Sequence, residues 1–247
     1  MNSASRCLDW SVLTLAIILG VGSVALFAWE GRPVLVPLNF SEPTALAWDA
    51  LLSSFFFLQH SGMVRRSFRA HLSAVVPLRY DGAIYAIASG VALTLVVVFW
   101  QPTGNHLLVL EGYARWTATA CSILAVAAFA YTAYVLRPFD PLGIRAIWAS
   151  LHNRLSRPSS FVVRGAYRWV RHPLYSCILV LLWAGTDLTS DRLLLNILWS
   201  AWIWVGAMLE ERDLVVEFGA AYRSYQRNVP MLIPWRGRVD FDSASRA

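Results

Sequence analysis

The chain alternates long apolar runs with short polar ones. Trp10 to Trp29 carries no charge between its two tryptophans. Trp48 to Met63, Gly82 to Trp100 and Trp116 to Leu136 follow. A long polar stretch, Arg137 to Arg171, comes next. Pro173 to Gly185 and Leu193 to Leu209 are two further apolar runs, parted only by residues 186–192. A bilayer core of ~30 Å takes roughly 20 apolar residues in a helix. The pattern therefore predicts an all-α integral membrane protein with about six transmembrane helices, the last two forming a C-terminal helical hairpin. Tryptophan or tyrosine stands at several run ends, where the membrane interface favours aromatic rings. The first run is longer than the 7–15 apolar residues of a usual signal peptide, so it reads as an anchor.

Composition agrees. Apolar residues make up 57% of the 247, charged ones only 15%, and there are 12 tryptophans. An average soluble domain is ~25% charged, and disorder needs low hydrophobicity with high net charge. A net charge of +6 raises the idea of a nucleic-acid partner. Its distribution answers that. On a six-span path, eighteen of the 21 arginines fall on one side and only Arg32, Arg115 and Arg192 on the other. The positive-inside rule makes the rich side cytoplasmic, with both termini there. The charge is orientation, the partner is the lipid bilayer, and no nucleic acid is called for. The whole chain, 1–247, reads as a single membrane domain. Four spans lie in 10–136, and a linker, the hairpin and a C-terminal region lie in 137–235. The tail from Arg236 reads as a frayed end.

The centres of five spans hold no ionisable residue, unlike a proton-coupled transporter. Polar residues gather at the cytoplasmic ends. The densest segment runs from Arg164 to Tyr175. Pro173 suits the first helical position of span five, with His172 at the N-cap. The free N–H groups of a helix start, with Arg171 beside them, suit a carboxylate or phosphate. The same segment also reads as a plain interfacial anchor. Span six returns to this face at Glu210-Glu211-Arg212-Asp213. Adjacent helical residues point ~100° apart, so one glutamate can face a ligand while the other pairs with an arginine. From Glu211, Leu214, Phe218, Tyr222 and Tyr225 share one face of a cytoplasmic amphipathic helix that Pro230 and Pro234 end. It serves either as a simple interfacial helix or as a lid over the hairpin mouth. Gln59-His60-Ser61 ends span two, and Phe139 to Arg145 follows span four. No dinucleotide fingerprint, metal spacing or nucleophile elbow is present.

Three blocks in order resemble the C-terminal signature of the isoprenylcysteine carboxyl methyltransferase superfamily. They are Gly165-x-Tyr167-Arg168-x-Val170-Arg171-His172-Pro173-x-Tyr175, Glu210-Glu211-x-x-Leu214, and Phe218-Gly219-x-x-Tyr222-x-x-Tyr225 with Val229-Pro230. Within it, the chain is most similar to the bacterial NnrU and methanethiol S-methyltransferase group, through Gln59-His60-Ser61, Gly143-Ile144-Arg145 and Leu209 to Val215. The resemblance implies an enzyme of the bacterial cytoplasmic membrane that uses S-adenosylmethionine. Arg171, His172, Pro173, Tyr175, Glu210 and Glu211 would line the cofactor pocket, with Tyr222 and Tyr225 covering it. A small thiol, methanethiol becoming dimethyl sulfide, is the implied substrate, with Gln59, His60 and Tyr167 as substrate residues. The thiol must react as thiolate, and Glu211, His172 and His60, in that order, are the candidate bases. Alternatives are another acceptor, such as an isoprenylcysteine carboxylate or a lipid, and a non-enzymatic NnrU-like membrane protein. Ser176-Cys177 departs from the Leu–Gly pair frequent in relatives, and Pro141-Leu142 from a frequent Leu–Phe.

Overall fold

The computed structural model describes residues 3–28, 34–135, 142–152 and 161–239. Phe139, Asp140 and Pro141 of the segment after span four lie outside the described residues, as does the tail from 240. The described residues are mostly helical: α1 (Ser3–Ala28), α2 (Glu42–Val64), α3 (Arg66–Val75), α4 (Asp81–Phe99), α5 (Gly112–Val135), α6 (Ile144–Leu151), α7 (Pro173–Trp183) and α8 (Ser190–Asn228). Two short strands, β1 (His106–Val109) and β2 (Asp187–Thr189), pair antiparallel.

Among the described residues, four helices are long and apolar enough to cross a membrane: α1, α4, α5 and α8. This is an all-α membrane protein. The other two predicted spans coincide with α2 and α7. α7 has 11 residues, a length of ~16 Å at 1.5 Å per residue, about half a bilayer core.

The chain folds as two compact units, Met1–Thr103 with Phe139–Pro158, and Gly104–Pro138 with Ser159–Ala247. The fourth apolar run, α5, therefore groups with the last two and not with the three before it. In the first unit, α1 packs along α4. Gly90 permits this, since a Cβ there would stand 2.5 Å from the Leu19 carbonyl oxygen. Small residues let membrane helices approach this closely. Leu13, Ala16, Tyr80, Ala83, Ala86 and Ile147 form the core between α1, α4 and α6. Buried Asp49 accepts the Gln101 backbone N–H at 3.0 Å, and the Gln101 amide reaches back to Val36 and Leu38. These bonds close one end of the unit.

In the second unit, α5 packs on α7, and the β1–β2 ribbon joins the starts of α5 and α8. Ile123, Leu124 and Val126 of α5 are all more than half exposed, an apolar surface suited to lipid.

The sequence separates a span ending at Leu209 from a helix beginning at Glu211. The structure runs one 39-residue helix, α8, through both. Glutamate, arginine and leucine are good helix formers, and nothing at 210–214 interrupts the ladder. The break comes instead at Gly219, with φ 56° and ψ −125°, a conformation that glycine adopts without the penalty a Cβ carries. From Ser190 to that break α8 runs ~43 Å, about one and a half times the thickness of a bilayer core.

Candidate functional site

α7 begins as its sequence predicts, with Pro173 in the first helical turn and His172 at the N-cap. The chain beyond α8 folds against this start. The backbone N–H groups of Arg171 and His172 donate to the carbonyls of Pro230 and Met231 at 2.8 and 3.1 Å. The Ser176 hydroxyl bonds the carbonyl of Leu232 at 2.6 Å and that of His172 at 3.1 Å. The departure at Ser176 thus has a use: it fastens the segment after α8 to α7. The two prolines prepare that segment for the task, because they end α8 and leave free carbonyls.

The expected anion seat is therefore filled by the chain itself. Arg171 Nε donates to Glu211 Oε1 at 2.6 Å and Nη2 to Oε2 at 3.1 Å, a two-pronged pair. Such forked bonds are stronger than neutral ones and fix both planes. Nη1 of the same guanidinium donates to the carbonyls of Gln226, at 2.9 Å, and Val229. His172 Nε2 lies 3.1 Å from Glu211 Oε1, and the Gln226 amide donates to Oε2 at 2.8 Å. Both oxygens of Glu211 are thus engaged, and its side chain is only 9% exposed.

Glu210 differs. Its side chain is 41% exposed, and it accepts the Tyr175 hydroxyl at 3.0 Å. His172 Nδ1 lies 3.7 Å from the same carboxylate, and the imidazole stacks on the Tyr175 ring at 5.4 Å. Of the two neighbouring glutamates, Glu211 is the one that pairs with arginine, and Glu210 stays open. A hollow of about 340 Å³ opens at Glu211, lined with it by Met208, Arg212, Val215 and Gln226.

Tyr222 and Tyr225 are each 2% exposed, packed with Val163 and Val229. Phe161 lies against both at 5.7 and 5.5 Å. The Tyr225 hydroxyl donates to the Tyr167 carbonyl at 2.6 Å. Burial pushes the Tyr167 phenol up from its ordinary value, and the Glu210 charge adds to this, so the phenol stays protonated.

Arg171, His172, Pro173, Tyr175, Glu210, Glu211, Tyr222, Tyr225 and Tyr167 all come from the second unit. Gln59 and His60 belong to the first. There the His60 ring lies between the Tyr85 hydroxyl, 2.9 Å from Nε2, and the Ser89 hydroxyl, 3.1 Å from Nδ1. Phe56 stacks on it at 5.0 Å. The Gln59 amide donates to Met63 Sδ at 2.8 Å. Two contributors were missed from the sequence, Gln226 and Phe161. Gln226 follows Tyr225 directly, and one sequence carries no mark that its amide turns to Glu211. Phe161 belongs to a polar linker and shows no periodicity.

No family model matches the chain, and no solved structure matches it significantly. Curated relatives do. A methanethiol S-methyltransferase of Pseudomonas sp. (strain GM41(2012)) is 33% identical over 198 residues, 80% of this chain and 76% of the relative. Methanethiol S-methyltransferase 2 of Bradyrhizobium diazoefficiens is 32% identical over 228 residues, 92% of this chain and 87% of the relative. Nurim of Rattus norvegicus is 29% identical over 184 residues, 69% of this chain and 68% of the relative.

Proposed function

The chain belongs to the methanethiol S-methyltransferase family, and from that premise we propose that it methylates a small alkyl thiol, converting methanethiol to dimethyl sulfide with S-adenosylmethionine as donor. The carrying observation is a fully engaged Glu211 in the wall of a hollow, with an open Glu210 as its neighbour in the chain.

The residues fit such a donor. Its carboxylate suits the Arg212 guanidinium. The Gln226 amide suits its ribose hydroxyls, and Glu210, exposed one residue before the wall residue Glu211, is open to its ammonium. Met208 and Val215 supply apolar wall. When bound, S-adenosylmethionine supplies a methyl group on a positively charged sulfur, already a good leaving group. The protein's part is then position and proton. Glu211, held by Arg171, His172 and Gln226, serves as a fixed post that sets the start of α7 against α8. A carboxylate accepting that many bonds is a poor base, so Glu211 acts as a positioning residue. The thiol proton goes to a group open to the reactants, and of the two adjacent carboxylates Glu210 is the open one. A cysteine thiol has an unperturbed pKa of ~8.5, and a simple alkyl thiol lies higher. The positive field of Arg212, in the wall of the hollow, favours its thiolate. Methanethiol is apolar and reaches such a site from the lipid.

This reading keeps the topology expected from the arginines: six membrane segments, both termini cytoplasmic, α7 and the first half of α8 as a hairpin, and the polar half of α8 on the cytoplasmic side. Cells expressing the chain and fed methanethiol should release dimethyl sulfide into the headspace. No release, with the protein present in the membrane, sinks the thiol assignment. Retained binding of S-adenosylmethionine by that protein then turns the search to a carboxylate or lipid acceptor. Glu210→Gln should lower turnover about 10²-fold, the lower end of general-base effects, at unchanged thermal stability. Unchanged turnover would remove Glu210 from the proton path.

A further inference from the structure

Between α2 and α4 the first unit carries a short helix that prolongs neither. α2 ends at Val64, and Arg65 is extended, with φ −63° and ψ 141°, so α3 starts afresh. Val76 is extended as well and ends it. α3 is held in place at two points. Arg69 Nε donates to Asp81 Oδ2 at 2.6 Å, at the first residue of α4. Val76 packs on the core of α1, α4 and α6. Phe68, Leu72 and Val75 recur at spacings of four and three, which is one helical face. The fold does not cover that face: Phe68 is 41% exposed, Val75 84%, and Leu78 just beyond 75%. The polar side chains of the segment are bonded close by. The His71 Nδ1–H donates to the Ser67 carbonyl at 2.7 Å, and the Ser73 hydroxyl to that of Ala70 at 2.9 Å. Arg65 Nε donates to the Ser61 carbonyl at 3.1 Å.

A helix with one apolar and one polar face, and little hydrophobicity on average, suits the plane of a membrane interface. Continuity names the occupant. The apolar stretch that includes α4 and is able to cross a membrane begins at Leu78. Only Val76 and Pro77 part it from Val75, so α3 is tethered at the bilayer surface. A second copy of the chain is a poor alternative. Three side chains fall well short of the ~800 Å² per partner of a stable protein interface. We propose that α3 lies in the headgroup–acyl boundary of the bilayer, with Phe68, Leu72 and Val75 turned into lipid. Arg65 and Arg69 are bonded within the protein, so apolar burial, and not attraction to anionic headgroups, holds the helix there. The assignment is independent of the methyl acceptor.

The test uses the full chain in phosphatidylcholine nanodiscs doped with a phosphatidylcholine that carries a diazirine high on its acyl chain. Irradiation labels what lies at that depth, and tandem mass spectrometry locates the label. Phe68, Leu72 and Val75 should be labelled like Trp116 and Tyr131 of α5, and Ser67, Ala70 and Ser73 far less. Labelling spread evenly around α3 overturns the proposal. So does an unlabelled α3 beside a labelled α5, which means that protein covers the face. Phe68→Ser combined with Val75→Ser should cut the label at Leu72 about tenfold, the worth of one buried aliphatic side chain. An unchanged label at Leu72 overturns the proposal too. Phosphatidylglycerol nanodiscs, and about 1 M salt, which screens exposed charges within ~3 Å, should leave the wild-type pattern as it was. A label that grows with phosphatidylglycerol and fades in salt overturns it in favour of headgroup attraction. The contrast between the two faces of the wild type carries the test even if the double variant fails to fold.

Discussion

Each unit buries an arginine–carboxylate pair, and the two are built for different ends. In the first unit, Asp9 is fully buried and its Oδ1 takes Arg79 Nε at 3.2 Å and the Tyr80 hydroxyl. Arg79 keeps 33% of its side chain exposed, and its guanidinium lies over the Tyr80 ring at 4.5 Å. That pair is a clasp: it fastens α1 to the turn that starts α4. In the second unit, Arg171 and Glu211 are 11% and 9% exposed, and every oxygen of the glutamate has a partner. That pair adjoins an open carboxylate and a hollow. The lesson is that burial of charge alone does not mark a site. An immobilised charge with an open neighbour does.

The comparison breaks most sharply at Glu211. Glu211→Ala leaves the Arg171 guanidinium buried with half its partners gone. Removing one member of a buried pair costs about 3–5 kcal/mol. Thermal unfolding in detergent should show a loss of that order, and calorimetric titration should show no binding of S-adenosylmethionine. Near-normal affinity in this variant would deny Glu211 its role as a post. Asp9→Ala should cost less, about 1–3 kcal/mol, because Arg79 retains access to water. Its folded fraction should bind S-adenosylmethionine as the wild type does. A loss of affinity at Asp9→Ala, measured on folded protein, would erase the distinction between clasp and site.

Much of this was legible in the sequence. Apolar runs gave the helices, because a membrane helix must satisfy its own backbone and shows its length as hydropathy. Pro173 marked the start of α7, since proline fits only where an N–H is dispensable. The two-way split of Glu210 and Glu211 followed from the ~100° step of a helix. Other features depend on contacts that no local pattern records. The grouping of α5 with α7 is a choice of neighbour, and apolar character alone does not say which runs pack together. The anion seat at Arg171 looked empty in sequence. It is filled by a carboxylate from α8 and carbonyls from residues 229–231, which only folding brings there. The kink at Gly219 was hidden because a glycine within a helical pattern is as often tolerated as used.

The smallest effect concerns how the core of the second unit supports its site. Tyr222 and Tyr225 were expected to cover the cofactor, yet both lie in a packed aromatic cluster with Phe161. The Tyr225 hydroxyl holds the Tyr167 carbonyl at 2.6 Å, and Tyr167 precedes Arg171 by one turn of chain. Tyr225→Phe keeps the ring and removes that bond. One buried hydrogen bond contributes about 1 kcal/mol, so the melting temperature should fall by a few degrees. If the residue acts only through the backbone, affinity for S-adenosylmethionine stays within about twofold, the range of a surface-level perturbation. A covering role predicts the reverse, because a hydroxyl bonded to ligand instead of Tyr167 costs affinity and leaves the melting temperature alone. Measuring both quantities on the one variant decides whether the aromatic cluster belongs to the fold, as the Asp9 clasp does, or to the site.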